Sequence, residues 1–217
     1  TGDEVWAIDR EVGSSWASPT VTTVDGVAQV IVTAGDATVA YAPKTGEALW
    51  RFDDPASDVA STPVAAGNLA VIVNPSFQMW AIPATARGRI TEEQAAWRAE
   101  ENLPDITSPV VVAEQVIVVT TSGYLTSFAL ADGAKRWELE LKGSYQSSPA
   151  AVGDRLYVTS VQGRTLVYDV SGEPRQIGEG MLKGSVKSSM AFVNGRIYLR
   201  TDRSMVCIAA ADEEAEP

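Results

Sequence analysis

Thr45-Gly46-Glu47-Ala48-Leu49-Trp50 decides the fold, because the chain repeats it. Thr1-Gly2-Asp3-Glu4-Val5-Trp6 precedes it, and Asp132-Gly133-Ala134-Lys135-Arg136-Trp137 follows as a looser copy. Between the copies run short β-branched stretches and a Ser/Thr-Pro step, so the repeating object is a small sheet. Ser18-Pro19, Thr62-Pro63, Ser108-Pro109 and Ser148-Pro149 recur at intervals of 44, 46 and 40 residues. Ser189-Met190 keeps the beat 41 residues later without the proline. The tryptophans repeat at 44, 47 and 40 residues through Trp6, Trp50, Trp97 and Trp137, and Ile177 fills the fifth slot. Two columns on one period require a repeat architecture.

Within each unit the strands are legible. Ala150-Ala151-Val152, the turn Gly153-Asp154 and Leu156-Tyr157-Val158 form one hairpin. Ala191-Phe192-Val193, Asn194-Gly195 and Ile197-Tyr198-Leu199 form another. Such two-residue turns need positive φ and so favour Gly and Asn. A third strand follows in each unit, for example Gln78-Met79-Trp80-Ala81-Ile82, and the Thr-Gly…Trp phrase turns into a fourth. Four antiparallel strands every ~40–47 residues predict an all-β propeller of four-stranded blades. The propeller domain covers 1–210, with blades near 7–50, 51–97, 98–137, 138–178 and 179–209 and an extra strand at 1–6. An acidic, disordered tail over 211–217 is expected, since Asp212, Glu213, Glu214 and Glu216 crowd it. Trp6, Trp50, Trp97 and Trp137 are expected to dock each blade on the next, near its glycine turn. In the second unit, Thr91-x-x-Gln94 reads as a capping box for a short helix in a surface excursion.

Composition narrows the function. The sequence holds no histidine, removing the commonest general base and metal ligand. Its one cysteine, Cys207, lies between Val206 and Ile208 and reads as a buried structural thiol. A net charge of −11 argues against nucleic acid and anionic membrane as partners. No stretch approaches the ~20 apolar residues of a spanning helix, so direct membrane insertion is not expected. Asp53-Asp54 before Pro55 reads as a solvated turn.

The order Ser/Thr-Pro, paired apolar strands, Ala/Tyr-rich third strand and Thr-Gly-x-x-x-Trp resembles the pyrroloquinoline-quinone-type β-propeller repeat. That family includes quinoprotein dehydrogenases and a non-catalytic propeller lipoprotein of bacterial outer-membrane assembly. The resemblance implies an extracytoplasmic, periplasmic location and seven or eight blades. The five sets of inner strands here therefore form either a closed five-bladed ring, completed by strand 1–6, or a fragment of a larger propeller. A quinoprotein dehydrogenase, as the family implies, needs calcium ligands and usually a vicinal cysteine pair; no Asp-x-Asp cluster and no cysteine pair occurs. No catalytic residue, cofactor or metal is therefore assigned. The expected activity is a non-catalytic scaffold for a protein partner. The alternative is part of a quinoprotein oxidoreductase whose ligands lie in blades outside this chain.

The loops from each fourth strand to the next first strand open on one face. They carry the candidate interaction residues Arg10, Trp16, Asp58, Asp105, Tyr145, Gln146 and Lys187. Exposed aromatics amid mixed charge suit protein recognition; Trp16 and Tyr145 plugging the channel mouth is the structural alternative. The Ser/Thr column is expected to line the inner rim and bond locally.

Overall fold

A computed structural model describes residues 2–10, 12–53 and 59–210. Asp58 and the tail 211–217 lie outside the described residues. The first sheet runs β1 (Thr20–Val24), β2 (Val27–Thr33), β3 (Thr38–Tyr41) and β4 (Ala48–Phe52). The second holds β5 (Val64–Ala66), β6 (Leu69–Asn74) and β7 (Gln78–Pro83). After β8 (Gly88–Ile90) it closes with β9 (Trp97–Ala99). The third holds β10 (Val110–Val112), β11 (Gln115–Val119), β12 (Tyr124–Ala129) and β13 (Lys135–Glu140). The fourth holds β14 (Ala150–Val152), β15 (Arg155–Thr159), β16 (Arg164–Asp169) and β17 (Arg175–Met181). The fifth has three strands, β18 (Ala191–Val193), β19 (Arg196–Arg200) and β20 (Met205–Ile208). Within each blade, consecutive strands pair antiparallel.

The innermost strands touch in sequence, β1 to β5, β5 to β10 and β10 to β14, so the sheets radiate as propeller blades. A ladder of hydroxyls joins them. Ser18 N–H donates to Thr62 Oγ1 (3.1 Å) and Thr62 N–H to Ser108 Oγ (2.9 Å). Ser108 N–H donates to Ser148 Oγ (2.9 Å) and Ser148 N–H to Ser189 Oγ (3.2 Å). This corrects the expectation of local bonding. The proline one residue on has no N–H of its own, and the amide before it reaches the neighbouring blade.

The core lies between blades. Trp50, Ile72, Trp80, Ile82 and Ile90 pack in the first gap, and Met79, Trp97, Val116, Val118 and Phe128 in the second. Ile117, Leu125, Trp137, Leu156, Val158 and Tyr168 fill the third. Because the middle strands meet blades on both faces, β6 and β11 are almost wholly buried and read as continuous apolar runs.

The four repeated indoles are held in two alternating ways, Trp6 against the flank of the first blade and the other three in these gaps. Trp6 and Trp97 lie over the glycine turn of the following blade, donating Nε1–H to Pro43 O and Leu130 O, both at 2.8 Å. A Cβ on Gly46 or Gly133 would come within 2.8 or 2.7 Å of those rings. Trp50 and Trp137 meet no such glycine. They donate to the buried amides of Gln29 (2.9 Å) and Gln115 (2.8 Å) in their own blades. Each amide then donates across the gap, Gln29 to Ala84 O (2.7 Å) and Gln115 to Val170 O (2.8 Å). The wiring therefore repeats every two blades.

Gly133 (φ +72°) and Gly26 (φ +76°) share one backbone conformation, but no atom lies within 4 Å of a Cβ on Gly26. Alanine at either pays the left-handed penalty of about 1–2 kcal/mol. Gly133→Ala is expected to cost about 1–3 kcal/mol more than Gly26→Ala by overpacking against Trp97. Urea denaturation of the two variants gives the difference; equal losses would remove the indole contact from the account.

Several expectations are corrected. Residues 2–10 form no strand. They run up the flank of the first blade, anchored by Trp6 and, higher, by Gly13 N–H on Asp36 (2.7 Å), and do not complete the fifth sheet. The capped short helix read in the second unit is present, as a single 3₁₀ turn at Glu92–Gln94 with Gln94 Oε1 accepting from Thr91 N–H at 2.9 Å. Its first residues, β8, pair parallel to β4 as a fifth strand of the first blade. Asp53 is bound between Arg51 and Arg89, each at 2.6 Å, rather than left to solvent. Cys207 is exposed, since among the described residues no fourth strand covers β20.

Candidate interaction face

Strand alternation puts the fourth-to-first loops and the second-to-third turns on one face, here the upper. Trp16 sits there, 67% exposed, while Phe77 is 65% and Ile106 40% exposed. The Trp16 backbone is fixed, its N–H donating to Val59 O at 2.8 Å beside the parallel bridge from Ser15 to Val59. A rigid backbone carrying a solvated indole loses little entropy on docking. Phe77 projects from the β6–β7 turn, which is tied to the Ile106 loop by Ser76 N–H on Pro104 O (3.0 Å). Sequence reasoning missed both residues. Ile106 shares the column of Trp16, three residues before the repeated proline, and that alignment would have found it.

The other candidates divide. Asp105 accepts from Thr121 N–H (3.2 Å) and Thr121 Oγ1–H (2.6 Å), so its carboxylate braces a turn. Tyr145 is fully buried in the third gap, its hydroxyl on Lys142 O at 3.2 Å, and burial holds its phenol above the ordinary tyrosine range. It leaves the face, because the loop turns its ring inward between blades. Arg10 lies lower, on the flank of the first blade, its guanidinium 5.9 Å from the centre of the Tyr41 ring. Gln146 is half-buried in the same column as Trp16 and Ile106, and Lys187 is exposed at its end. Beside Lys187 opens a pocket of about 260 Å³. A wider polar cleft of about 690 Å³, lined among others by Ser76, Asp105 and Thr121, lies between the loops carrying Phe77 and Ile106.

Among the described residues no three acidic, cysteine or histidine side chains converge as metal ligands. No helix of the described residues is long and apolar enough to cross a membrane.

Residues 1–215 match the family model for the outer membrane protein assembly factor BamB. The chain belongs to that family. Among solved structures, BamB from Moraxella catarrhalis superposes with a TM-score of 0.74 at 19% identity, over 95% of this chain and 63% of that one. The chain thus spans under two thirds of that BamB. The computationally designed Ika8 protein gives a TM-score of 0.70 at 14% identity, over 86% of this chain and 56% of its own. BBS1N, solved in complex with ARL6DN, gives 0.68 at 12%, over 87% and 63%. At these identities the likeness carries the propeller fold alone, common to a BamB, a design and an otherwise distant protein. No curated protein sequence matches the chain.

Proposed function

We propose that this chain is a non-catalytic scaffold of the bacterial cell envelope, on the periplasmic side, whose upper face docks a protein partner. Membership of the BamB family points to the outer-membrane assembly machinery as the setting. The observation that carries the reading is the exposure of Trp16, Phe77 and Ile106 on one face of the first three blades. Large apolar side chains grouped on one face mark interaction sites, and aromatic anchors dominate binding energy. Trp50, Trp97 and Trp137 between blades, and Trp6 on the flank of the first, act as docking wedges in support of that face. The length relation to the Moraxella protein favours a piece of a larger propeller over a closed five-bladed ring.

A photoreactive amino acid at position 16 or 77 tests this in envelope preparations. Crosslinking at both is expected to capture one shared polypeptide, while probes at Val152 and Val193, exposed on the opposite face, capture none of it. Trp16→Ala is expected to abolish that capture and shift stability by no more than about 0.5 kcal/mol. Equal capture from both faces, or none from either, would overturn the docking reading.

A further inference from the structure

The gap between the fourth and fifth blades differs from the three before it, which hold Trp50, Trp97 and Trp137. In the third blade Trp137 pairs with Ser127 and Leu139 with Leu125. In the same register of the fourth blade, Gly178 pairs with Val167 and Gly180 with Thr165. Gly178 therefore stands in the tryptophan slot that the spacing assigns to Ile177, and Ile177 is the extra residue of the bulge. The backbone requires neither glycine. Both have φ outside the left-handed region. A Cβ on Gly178 would make ordinary contact with Val167 at 3.5 Å, and one on Gly180 would meet nothing within 4 Å.

Glycine inside a strand weakens it and marks places where another group comes close. Here the pair leaves a cavity of about 390 Å³ where the third gap holds an indole and a leucine. Tyr157, Val167, Leu182, Met190, Ile197 and Leu199 line it. That volume lies within the range of ligand sites, about 300–1,000 Å³. In the second and third gaps the following blade contributes no residue of its fourth strand, so this gap needs none beside β20. Ile197 pairs with Ile208 and Leu199 with Val206 on the face turned to the fourth blade, whereas Tyr198 with Cys207 and Arg200 with Met205 share the other. A blade following β20 would pack on that other face. Strand direction puts Leu182, Met190 and Leu199 at the upper end, so the cavity runs from mid-gap toward the docking face.

We infer that this cavity receives a tryptophan side chain of the docked partner, completing from outside the column that Trp50, Trp97 and Trp137 fill from within. The inference rests on the docking reading above and adds a buried anchor to its exposed ones. The sister gaps show which ring suits the space between two blades. Tyr157 meets the Phe192 ring at 4.9 Å between centroids and 54° between planes, so an entering indole joins an aromatic pair. An acyl chain would gain the buried area without those ring contacts.

The methionines report on the cavity. Of the four in the chain, Met181 and Met190 line it, Met79 is buried in the second gap, and Met205 lies on the other face of β20. In a chain carrying methyl-labelled methionine, N-acetyltryptophanamide is expected to shift the Met181 and Met190 resonances saturably and leave the other two in place. N-acetylleucinamide and laurate, titrated in parallel, are expected to leave all four in place. Gly178→Trp is expected to abolish the response and raise the melting temperature by about 2–4 °C, since its own ring fills the site. In envelope preparations, a photoreactive residue at exposed position 181 is expected to capture the polypeptide caught from positions 16 and 77. Met181 and Met190 resonances that stay still, that move together with all the others, or that move with laurate would overturn the inference. So would a Gly178→Trp chain that melts lower, or a probe at 181 that captures a different polypeptide or none. Crosslinking from positions 16 and 77 would stand in each of those cases, so loss of the indole site and loss of the docking face are distinguishable.

Discussion

Gln115→Leu is expected to lower the unfolding free energy by about 3–6 kcal/mol. The side chain is buried, and its amide is hydrogen-bonded at both ends. Its Oε1 accepts from Trp137 Nε1–H (2.8 Å) and Ser127 Oγ–H (2.7 Å), while its Nε2 donates to Val170 O of the next blade (2.8 Å). Leucine nearly matches the volume, so a cavity is not the main cost. The loss comes from three polar groups left buried without partners, each worth about 1–3 kcal/mol. Gln29→Leu orphans only Trp50 Nε1–H and Ala84 O, so its penalty is expected to be smaller. Pairing Gln115→Leu with Trp137→Phe removes one orphan and is expected to recover part of the stability. Urea unfolding followed by tryptophan fluorescence measures all three. A loss below about 1 kcal/mol for Gln115→Leu would mean the amide bridges are replaceable by water, and the two-blade wiring is incidental.

That wiring also marks where sequence reading ends. Trp50 and Trp97 occupy the same column of the repeat, so the sequence predicts one role for both. The difference arises in space. Trp97 finds Gly133 with room for its ring, whereas the turn after Trp50 is stretched and Gly88 enters a parallel strand instead. Gln29 stands as a lone polar residue in an apolar run and Gln115 directly follows the Ala113-Glu114 turn, and nothing local says that an indole and a carbonyl will meet them. The hydroxyl column was visible as a column, but a proline-flanked serine bonds equally well at short range, and only the blade-to-blade approach selects the long-range partner. Tyr145 departs from the exposed position its loop suggests, because loop sequence does not fix which way a ring turns. Trp16 and Tyr145 lie in comparable loops, one residue apart in register, and end respectively in solvent and in the core. Strand identity, hairpin turns and blade period were legible because each has a periodicity of its own. Even Ala113-Glu114, which lacks glycine, adopts the double positive φ of Asp25-Gly26 and Asn194-Gly195, at +48° and +55°.

Trp50→Ala is expected to cost about 3–5 kcal/mol, the range for emptying a buried aromatic site. The indole is fully buried between the first two blades, among Phe52, Ile72, Ile82 and Ala84. Its removal also frees the Gln29 acceptor and leaves β8 paired beside a void, since Trp50 aligns with Gly88 in that parallel pair. The loss has a place as well as a size. In a repeat protein each unit is stabilised by its neighbours, so weakening one interface lets the terminal side open before the rest. Amide hydrogen exchange on Trp50→Ala is therefore expected to show lost protection in β1–β3, with the third and fourth blades still protected through the Trp137–Gln115–Val170 bridge. An equal loss of protection in every blade would mean that the sheets unfold as one body, and that the indoles fill space without coupling one blade to the next.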